Sequence, residues 1–144
     1  MTSDELVKRF DLRPHPEGGF YKETYRASGT IAGKALPKAF HGDRSFSTAI
    51  LYLLPKGGKS KLHRLASDEL FHFYSGGPMR RVELLPGGKV TQTRLGADIA
   101  GGCAVQHVVR AGAWFGAYAE AGSEYCLVGC TVAPGFDFSD FQLA

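Results

Sequence analysis

The segment 57–77, GGKSKLHRLASDELFHFYSGG, brings three side chains with acid–base or metal-binding chemistry close together in the chain. His63, Glu69 and His72 lie within ten positions of one another, between two glycine pairs. Glycine pairs favour tight turns, and the residues between them form two short strand-like runs. The segment is therefore predicted to be a β-hairpin, and its histidines and glutamate indicate either a metal site or an acid–base pair.

The rest of the chain has the composition of a β-rich domain. Its 144 residues suit one domain, predicted to span 1–144, which is long enough to bury a core. Hydrophobic residues make up 44% and charged residues 22%, as in ordinary globular proteins, whereas 19 glycines are about double the average share. Because many glycines indicate many tight turns, we predict an all-β fold.

The predicted elements are one helix followed by short strands. The helix lies within residues 1–12, with Ser3 as its N-cap, and ends before Pro14. From 19 to 143 short strands alternate with glycine, proline and polar breaks, a pattern typical of a sandwich or barrel. Residues 28–42 are predicted to form a long surface loop. The predicted strands are Phe20–Ala27, Ser45–Leu54, Ser60–Leu65, Glu69–Tyr74, Arg80–Leu85, Val90–Arg94, Val105–Arg110, Ala113–Ala119, Tyr125–Val132 and Phe136–Phe141.

Charge and cysteine content argue against several classes of partner. Lys and Arg number 17 against 14 acids, a net charge of +3, and the basic residues are scattered. Nucleic-acid binding needs a continuous basic face, so we predict no nucleic-acid partner. No segment approaches the roughly 20 apolar residues of a membrane span, and the N-terminus lacks a signal-peptide pattern. Three cysteines without a C-x-x-C pair favour a reduced, cytoplasmic protein with no membrane partner.

The opening segment resembles the first cupin motif, which consists of a glycine, a His-x-His pair, a glutamate and a closing glycine. Gly57, His63, Glu69 and Gly76 occupy the corresponding positions. Leu65 stands where the second histidine of the motif would be. One of the motif's two histidine ligands is therefore missing.

A later segment and four longer runs extend this resemblance. Residues 110–115, RAGAWF, resemble the second cupin motif, with Arg110 in place of its proline and Phe115 in place of its histidine. Together the longer runs span nearly the whole chain and resemble the cupin-5 family, long catalogued as a domain of unknown function. They are HPEGGFYKETYR (15–26), STAILYLLP (47–55), HRLASDELFHFYSG (63–76) and GCTVAPGFDFSDF (129–141).

The resemblance implies a small jelly-roll (RmlC-like cupin) β-barrel, with the short N-terminal helix outside it and the barrel at 19–143. It implies a homodimer with a pocket inside each barrel. Similarity to sugar-nucleotide epimerases of the RmlC type implies a carbohydrate-like ligand, without deciding the reaction.

The metal site of a cupin is incomplete in this sequence. A mononuclear cupin centre takes three imidazoles and one carboxylate, and only His63 and Glu69 remain at the matching positions. Strand alternation turns His72 to the opposite face from Glu69, and His107 suits a packed histidine as well as a ligand. We therefore predict no cofactor; a divalent metal, if present, would be held by His63 and Glu69.

Without a metal, His63 and Glu69 are the predicted catalytic pair. A carboxylate that fixes the tautomer of an imidazole raises its basicity, so His63 is the predicted general base. Burial raises the pKa of an unpaired glutamate, which would make Glu69 an acid. The alternative is structural: Glu69 only hydrogen-bonds His63 or Arg64 inside the barrel.

Strand alternation also predicts which residues line the pocket. In the run 47–55, Thr48 and Tyr52 share a face, and this hydroxyl-bearing stripe suits a small polar ligand. In the run 15–26, Glu23 and Tyr25 share a face and are predicted to hydrogen-bond the ligand; the alternative is an exposed edge strand. The predicted aromatic lining comprises Phe71, Phe73 and Phe115.

Three functions remain open at this point. The first is a metal-independent epimerase or isomerase acting on a small carbohydrate-like or keto substrate, with His63 removing a proton. The second is a cupin that binds a small molecule without catalysis. The third is a metal-dependent cupin enzyme, which the residues at 65 and 115 disfavour.

Overall fold

The computed structural model describes residues 1–144 and consists almost entirely of antiparallel strands. One helix, α1, spans Ser3–Arg9, and two 3-10 turns span Gly33–Ala35 and Phe138–Asp140. The strands are β1 (Arg13–Pro14), β2 (Phe20–Arg26), β3 (Thr30–Ile31), β4 (Arg44–Ser45), β5 (Thr48–Pro55), β6 (Lys59–Arg64), β7 (Asp68–Gly76), β8 (Met79–Leu84), β9 (Val90–Leu95), β10 (Gln106–Val109), β11 (Trp114–Ala119), β12 (Tyr125–Ala133) and β13 (Gln142–Leu143).

Two large sheets face each other. The first has the strand order β1-β2-β5-β12-β7-β10 and the second β13-β6-β11-β8-β9; β3 and β4 form a small separate pair. From β5 to β12 the chain passes repeatedly from one large sheet to the other. This double-sheet arrangement is that of a jelly roll. The predicted all-β jelly roll with a short N-terminal helix is confirmed.

The main core fills the space between these sheets, because alternate side chains of each strand point inward. Twelve buried residues form it, and a fully buried large apolar side chain contributes roughly 1.5–3 kcal/mol. The largest of its fully buried side chains are Tyr52, Phe115, Leu54, Met79 and Leu95.

Helix α1 covers part of the outer face of the first sheet. Leu6 and Leu12 pack there against Leu53 and Leu127 and form a second, smaller core. The helix begins one residue earlier than predicted, because Thr2 is its N-cap: the Thr2 side chain accepts from the Glu5 amide and the Glu5 carboxylate accepts from the Thr2 amide. No helix of the chain is long and apolar enough to cross a membrane.

The strands predicted between residues 60 and 132 are confirmed to within two residues at their ends, and three other segments differ. The predicted strand at 136–141 is wrong: Asp137 accepts hydrogen bonds from the amide and hydroxyl of Ser139 and bends the chain into a 3-10 turn. The predicted strand at 45–54 is divided, since β4 pairs with β3 outside the large sheets. The predicted loop at 28–42 contains β3 and a 3-10 turn.

Candidate functional site

A cavity of about 450 Å³ opens at the end of the barrel where β6 ends and β7 begins. Residues of both large sheets line it, together with the turn before β2 and the segment after β12. Its size is that of a small-molecule site. Its histidine, acidic and arginine lining residues are His15, Glu17, Glu23, Arg26, His63, Glu69 and Asp137.

A buried ion pair in the cavity joins His63 to Glu17. His63 Nε2 lies 2.7 Å from Glu17 Oε2, and His63 Nδ1 lies 2.7 Å from the carbonyl oxygen of Lys61. A carbonyl oxygen only accepts, so Nδ1 carries a proton. Hydrogen bonding to Glu17 raises the pKa of His63 against the opposing effect of burial, and His63 lowers the pKa of Glu17 although burial alone would raise it. The pair is therefore an imidazolium and a carboxylate, and both ring nitrogens of His63 donate.

This pairing corrects the sequence prediction, which gave Glu69 as the only carboxylate partner for His63. Glu17 reaches His63 because the turn before β2 folds against β6: the Lys61 amide donates to the Glu17 carbonyl, and the Ser60 hydroxyl donates to Glu17 Oε2. Gly18 has φ +108°, and a Cβ there would clash with the Lys59 carbonyl oxygen. A glycine after Glu17 is thus required for the turn to approach β6.

His15 lies beside this pair and, unlike His63, is uncharged. Its Nδ1 accepts from the Glu17 amide at 3.1 Å, so Nδ1 bears a lone pair and the proton sits on Nε2. Burial lowers the pKa of His15, with the charge of Glu17 opposing it. Although Glu17 Oε1 lies 3.4 Å from Nδ1, no proton is available there for an ion pair. His15 is therefore a neutral imidazole.

Glu69 lines the cavity without a strong partner. It is 9% exposed, and no backbone or side-chain N–H or O–H group of the chain donates to its carboxyl group. Burial, followed by the negative charge of Glu17, raises the pKa of Glu69 to about 7, while Arg81, His63 and a hydrogen bond from the Cys130 thiol oppose the shift. A carboxyl group with this pKa takes up and releases protons near neutral pH.

Arg81 is the cation that lowers the pKa of Glu69 most, and it is 1% exposed. Its guanidinium lies over the ring of Phe71, 3.6 Å from the centroid, and 4.9 Å from that of Phe115. These contacts are cation–π interactions. Its Nε and Nη2 atoms have no hydrogen-bond partner. Arg81 thus acts on Glu69 through its charge rather than through a salt bridge.

The segment after β12 forms the aromatic wall of the cavity. Phe138 and Phe141 lie against His15, with ring centroids 6.1 and 5.8 Å away, and Phe141 also lies 5.4 Å from His63. A buried ion pair anchors the segment: Arg44 donates to both carboxylate oxygens of Asp140, at 2.8 and 2.7 Å. Bidentate pairs of this kind fix geometry as well as charge.

Four of the predicted site residues line this cavity and five do not. His63, Glu69, Thr48 and Glu23 line it. The other five were predicted as ligand-binding residues and lie outside it: Tyr52, Phe71, Phe73, Phe115 and Tyr25.

Physical reasons explain the misplaced residues. A bulge in β2 between Glu23 and Tyr25 changes the alternation, so Glu23 lines the cavity while Tyr25 is 56% exposed. The Tyr52 hydroxyl donates to the Gly18 carbonyl oxygen at 2.6 Å and so stabilises the turn before β2. The three phenylalanines, 71, 73 and 115, pack in the main core, two of them around Arg81.

Sequence reasoning missed His15, Glu17 and Arg26. The sequence did contain a signal for Glu17. In the motif H-P-E-G-G this carboxylate is followed by two glycines, and both have a positive φ in the turn that approaches β6. His15 lies two residues earlier in the same motif. Arg26 binds Glu23 through two nitrogens, at 2.6 and 3.1 Å, and donates to the Phe136 carbonyl. No local pattern marked this contact to the C-terminal segment.

The donors at the cupin metal positions do not fit a metal ion. Both nitrogens of His63 carry protons, and Leu65 and Phe115 offer no donor atom. His72 binds Thr131 through Nε2, and His107 binds Glu83 through Nε2, so both are used elsewhere. A metal at His63 and Glu69 would first have to break the pair with Glu17.

Three relatives that are at least 30% identical to this chain have no stated activity. An uncharacterized protein of Saccharomyces cerevisiae, YML079W, is 30% identical over 145 residues, which cover 94% of this chain and 72% of the yeast protein. A hypothetical protein from Leishmania major has a TM-score of 0.89 at 31% identity and covers 100% of this chain and 88% of its own. Protein SO0799 from Shewanella oneidensis has a TM-score of 0.87 at 35% identity, and the match covers 100% of this chain and 85% of that protein.

The family is decided by a match over nearly the whole length. Residues 4–144 match the family described as Cupin superfamily (DUF985). This match confirms the family that the two motifs and four runs indicated. The chain belongs to the cupin superfamily, in the family DUF985.

Proposed function

We propose that the cavity binds a small, neutral, polar compound with a carbonyl or hydroxyl group, and that Glu69 transfers a proton to or from it without a metal. The observation that carries the proposal is the Glu69 carboxyl group, which lines the cavity, lacks an N–H or O–H partner and has a pKa raised to about 7. A group with a pKa near the operating pH is an efficient general acid or base. The reaction class is isomerisation or epimerisation next to a carbonyl group.

Glu69 is better placed than His63 for this role. The sequence analysis gave His63 as the base, but a base needs a free lone pair, and both nitrogens of His63 carry protons bonded to Glu17 and Lys61. His63 is instead a fixed positive charge on the wall of the cavity. Glu69 has no N–H or O–H partner that it would first have to release before it accepts a proton.

The lining favours a neutral ligand. Four carboxylates line the cavity against the two cations Arg26 and His63, each of which is paired with one of them. An anionic ligand would meet uncompensated negative charge. Aromatic faces from Tyr21 and the C-terminal segment, together with these polar groups, suit the apolar and hydroxyl-bearing faces of a carbohydrate-like molecule.

Deuterium incorporation from D2O tests the proposal. The protein is incubated with dihydroxyacetone and a panel of free aldoses and ketoses, and exchange of the hydrogen next to the carbonyl is followed by NMR. We expect exchange that rises with pH with its midpoint at about pH 7 and falls at least 100-fold in Glu69→Gln. Glu124→Gln, in an exposed ion pair with Lys56, is the matched control.

The alternative is a binding protein without catalysis, and the internal pairing of most polar groups in the cavity favours it. It is supported if a panel compound shifts NMR signals of the cavity residues while no exchange occurs in the wild type. Retained exchange in Glu69→Gln would remove Glu69 from the mechanism. The predicted homodimer is tested separately by sedimentation.

A further inference from the structure

We infer that His15 is a neutral hydrogen-bond donor that binds the ligand's carbonyl oxygen through Nε2–H. This inference rests on the proposed function, because it assigns the second group that proton transfer next to a carbonyl requires. His15 lines the cavity with Glu69, and its side chain is 6% exposed.

The protonation state of His15 follows from its backbone contact. The Glu17 amide is only a donor, and it points at His15 Nδ1 from 3.1 Å. Nδ1 is therefore the acceptor, and the single proton of the neutral ring is on Nε2. Two charged groups face the ring, Glu17 and the imidazolium of His63, and they have opposite signs.

The surroundings leave Nε2–H without a partner from the protein. The rings packed around His15 are those of Tyr21, Tyr52, Phe138 and Phe141, with centroids between 4.7 and 6.1 Å away. The one side-chain hydrogen bond of His15 is made by Nδ1, so none of these groups accepts from Nε2–H. A ligand oxygen in the cavity is the natural acceptor for this donor.

A neutral imidazole and a carboxylate divide the chemistry between them. The Glu69 carboxylate takes the proton from the carbon next to the carbonyl; the electron pair of that C–H bond forms a C=C bond, and the carbonyl π pair moves to oxygen. His15 Nε2–H stabilises the negative oxygen by donating a hydrogen bond and keeps its proton. The Glu69 carboxyl group then returns the proton to carbon, so that atoms and electrons balance without any further reactant.

This arrangement separates the two histidines of the cavity by function. His63 is charged and bonded on both nitrogens, and it holds Glu17. Glu17 in turn presents its amide to His15 and fixes the tautomer. Glu17 is therefore a positioning residue for His15.

The first part of the test needs no ligand. Long-range proton–nitrogen correlation spectra distinguish the two neutral tautomers and the imidazolium, and His15→Phe identifies the signals. We expect a neutral Nε2–H ring at pH 7.5, as the Glu17 amide at Nδ1 requires. A ring protonated on Nδ1 at this pH overturns the inference.

The second part uses dihydroxyacetone as the probe. We expect the Nε2–H signal to shift when it is added, and an unchanged signal at saturating probe overturns the inference. In the exchange assay we expect His15→Phe to be 10- to 1000-fold slower and His15→Gln, which retains an amide donor, to recover part of the loss. His41→Phe replaces an exposed histidine outside this cavity and is the matched control.

The outcomes separate this inference from the proposed function. If Glu69→Gln abolishes exchange and His15→Phe leaves it unchanged, the proposed function stands and the inference fails. If the wild type exchanges no probe but dihydroxyacetone shifts the Nε2–H signal, proton transfer fails and the donor role of His15 stands. If His15→Phe does not fold, the wild-type spectra and His15→Gln still decide.

Discussion

Glu17 Oε2 and His63 Nε2 lie 2.7 Å apart, although one residue belongs to a turn before β2 and the other to β6. The side chains are 10% and 3% exposed, so the pair is nearly free of solvent. It occupies the position at which the sequence motif indicated a metal ligand. One wall of the cavity is thus held by an ion pair within the protein.

Glu17→Gln should destabilise the fold and lower the pKa of His63. Removing one member of a buried ion pair leaves the other charge uncompensated, which costs about 3 kcal/mol. Urea unfolding at pH 6 measures the loss, and an NMR titration follows His63. Glu124→Gln, whose pair with Lys56 is exposed, should lose less than about 1 kcal/mol. Equal losses of stability in the two variants would contradict the assignment of Glu17 and His63 as a buried ion pair.

The stabilisation from this pair should depend on pH in a defined window. The raised pKa of His63 gives stability that is complete below the ordinary value of 6.5 and is lost as pH rises through the folded pKa. The lowered pKa of Glu17 gives stability that is complete above 4.5 and is lost as pH falls through the folded pKa. The difference between wild type and Glu17→Gln should therefore be largest between about pH 4.5 and 6.5, and urea titrations across pH 3.5–8.5 locate that maximum. A difference that keeps growing above pH 8 would be incompatible with it.

Glu69→Gln should gain stability relative to the wild type as pH rises. The folded pKa of Glu69, about 7, lies above its ordinary value of 4.5, so the folded wild type loses stability as pH rises through this interval. At about 1.4 kcal/mol per pKa unit, the relative gain is about 3 kcal/mol between pH 4.5 and 7.5. Thermal or urea unfolding at both pH values measures it. A relative stability independent of pH would refute the raised pKa.

Arg81→Met should raise the pKa of Glu69 further, because the guanidinium has the larger effect of the two cations that lower it. At pH 5, where Glu69 is protonated in the fold, we expect stability within about 1 kcal/mol of the wild type or higher, since an unpaired buried charge is replaced by an apolar side chain. At pH 8 the variant should be less stable. Arg80→Met is the matched control, because Arg80 binds Glu120 near the surface. A large loss at pH 5 would show that the contacts of Arg81 with Phe71 and Phe115 dominate.

Asp140→Asn should loosen the aromatic wall of the cavity. The side chains of Arg44 and Asp140 are 4% and 3% exposed, and this pair, with the bonds to Ser139, holds the turn that carries Phe138 and Phe141. We expect at least tenfold lower hydrogen-exchange protection of the Asp140 and Phe141 amides. Arg110→Gln, in an exposed pair with Asp68, should leave these amides unchanged. Unchanged protection in Asp140→Asn would show that β13 alone holds the segment.

The sequence predicted the sheets well, because local signals specify strands and turns. Alternation and glycine-rich breaks located the strands between 60 and 132, and the same alternation placed His63 and Glu69 in the interior and turned His72 away. Alternation failed in β2, where a bulge shifts one residue. It also failed after β12, where Asp137 bends the chain.

The sequence by itself determined the family, the jelly roll and the inward direction of His63 and Glu69, because these follow from motif spacing and from the two-residue period of a strand. Only the tertiary structure decided what these residues do. The turn bearing His15 and Glu17 reaches β6 through hydrogen bonds between segments distant in the chain, and no local pattern encodes that contact. This approach protonates His63, fixes His15 as the neutral tautomer and leaves Glu69 as the cavity carboxyl group without an N–H or O–H partner.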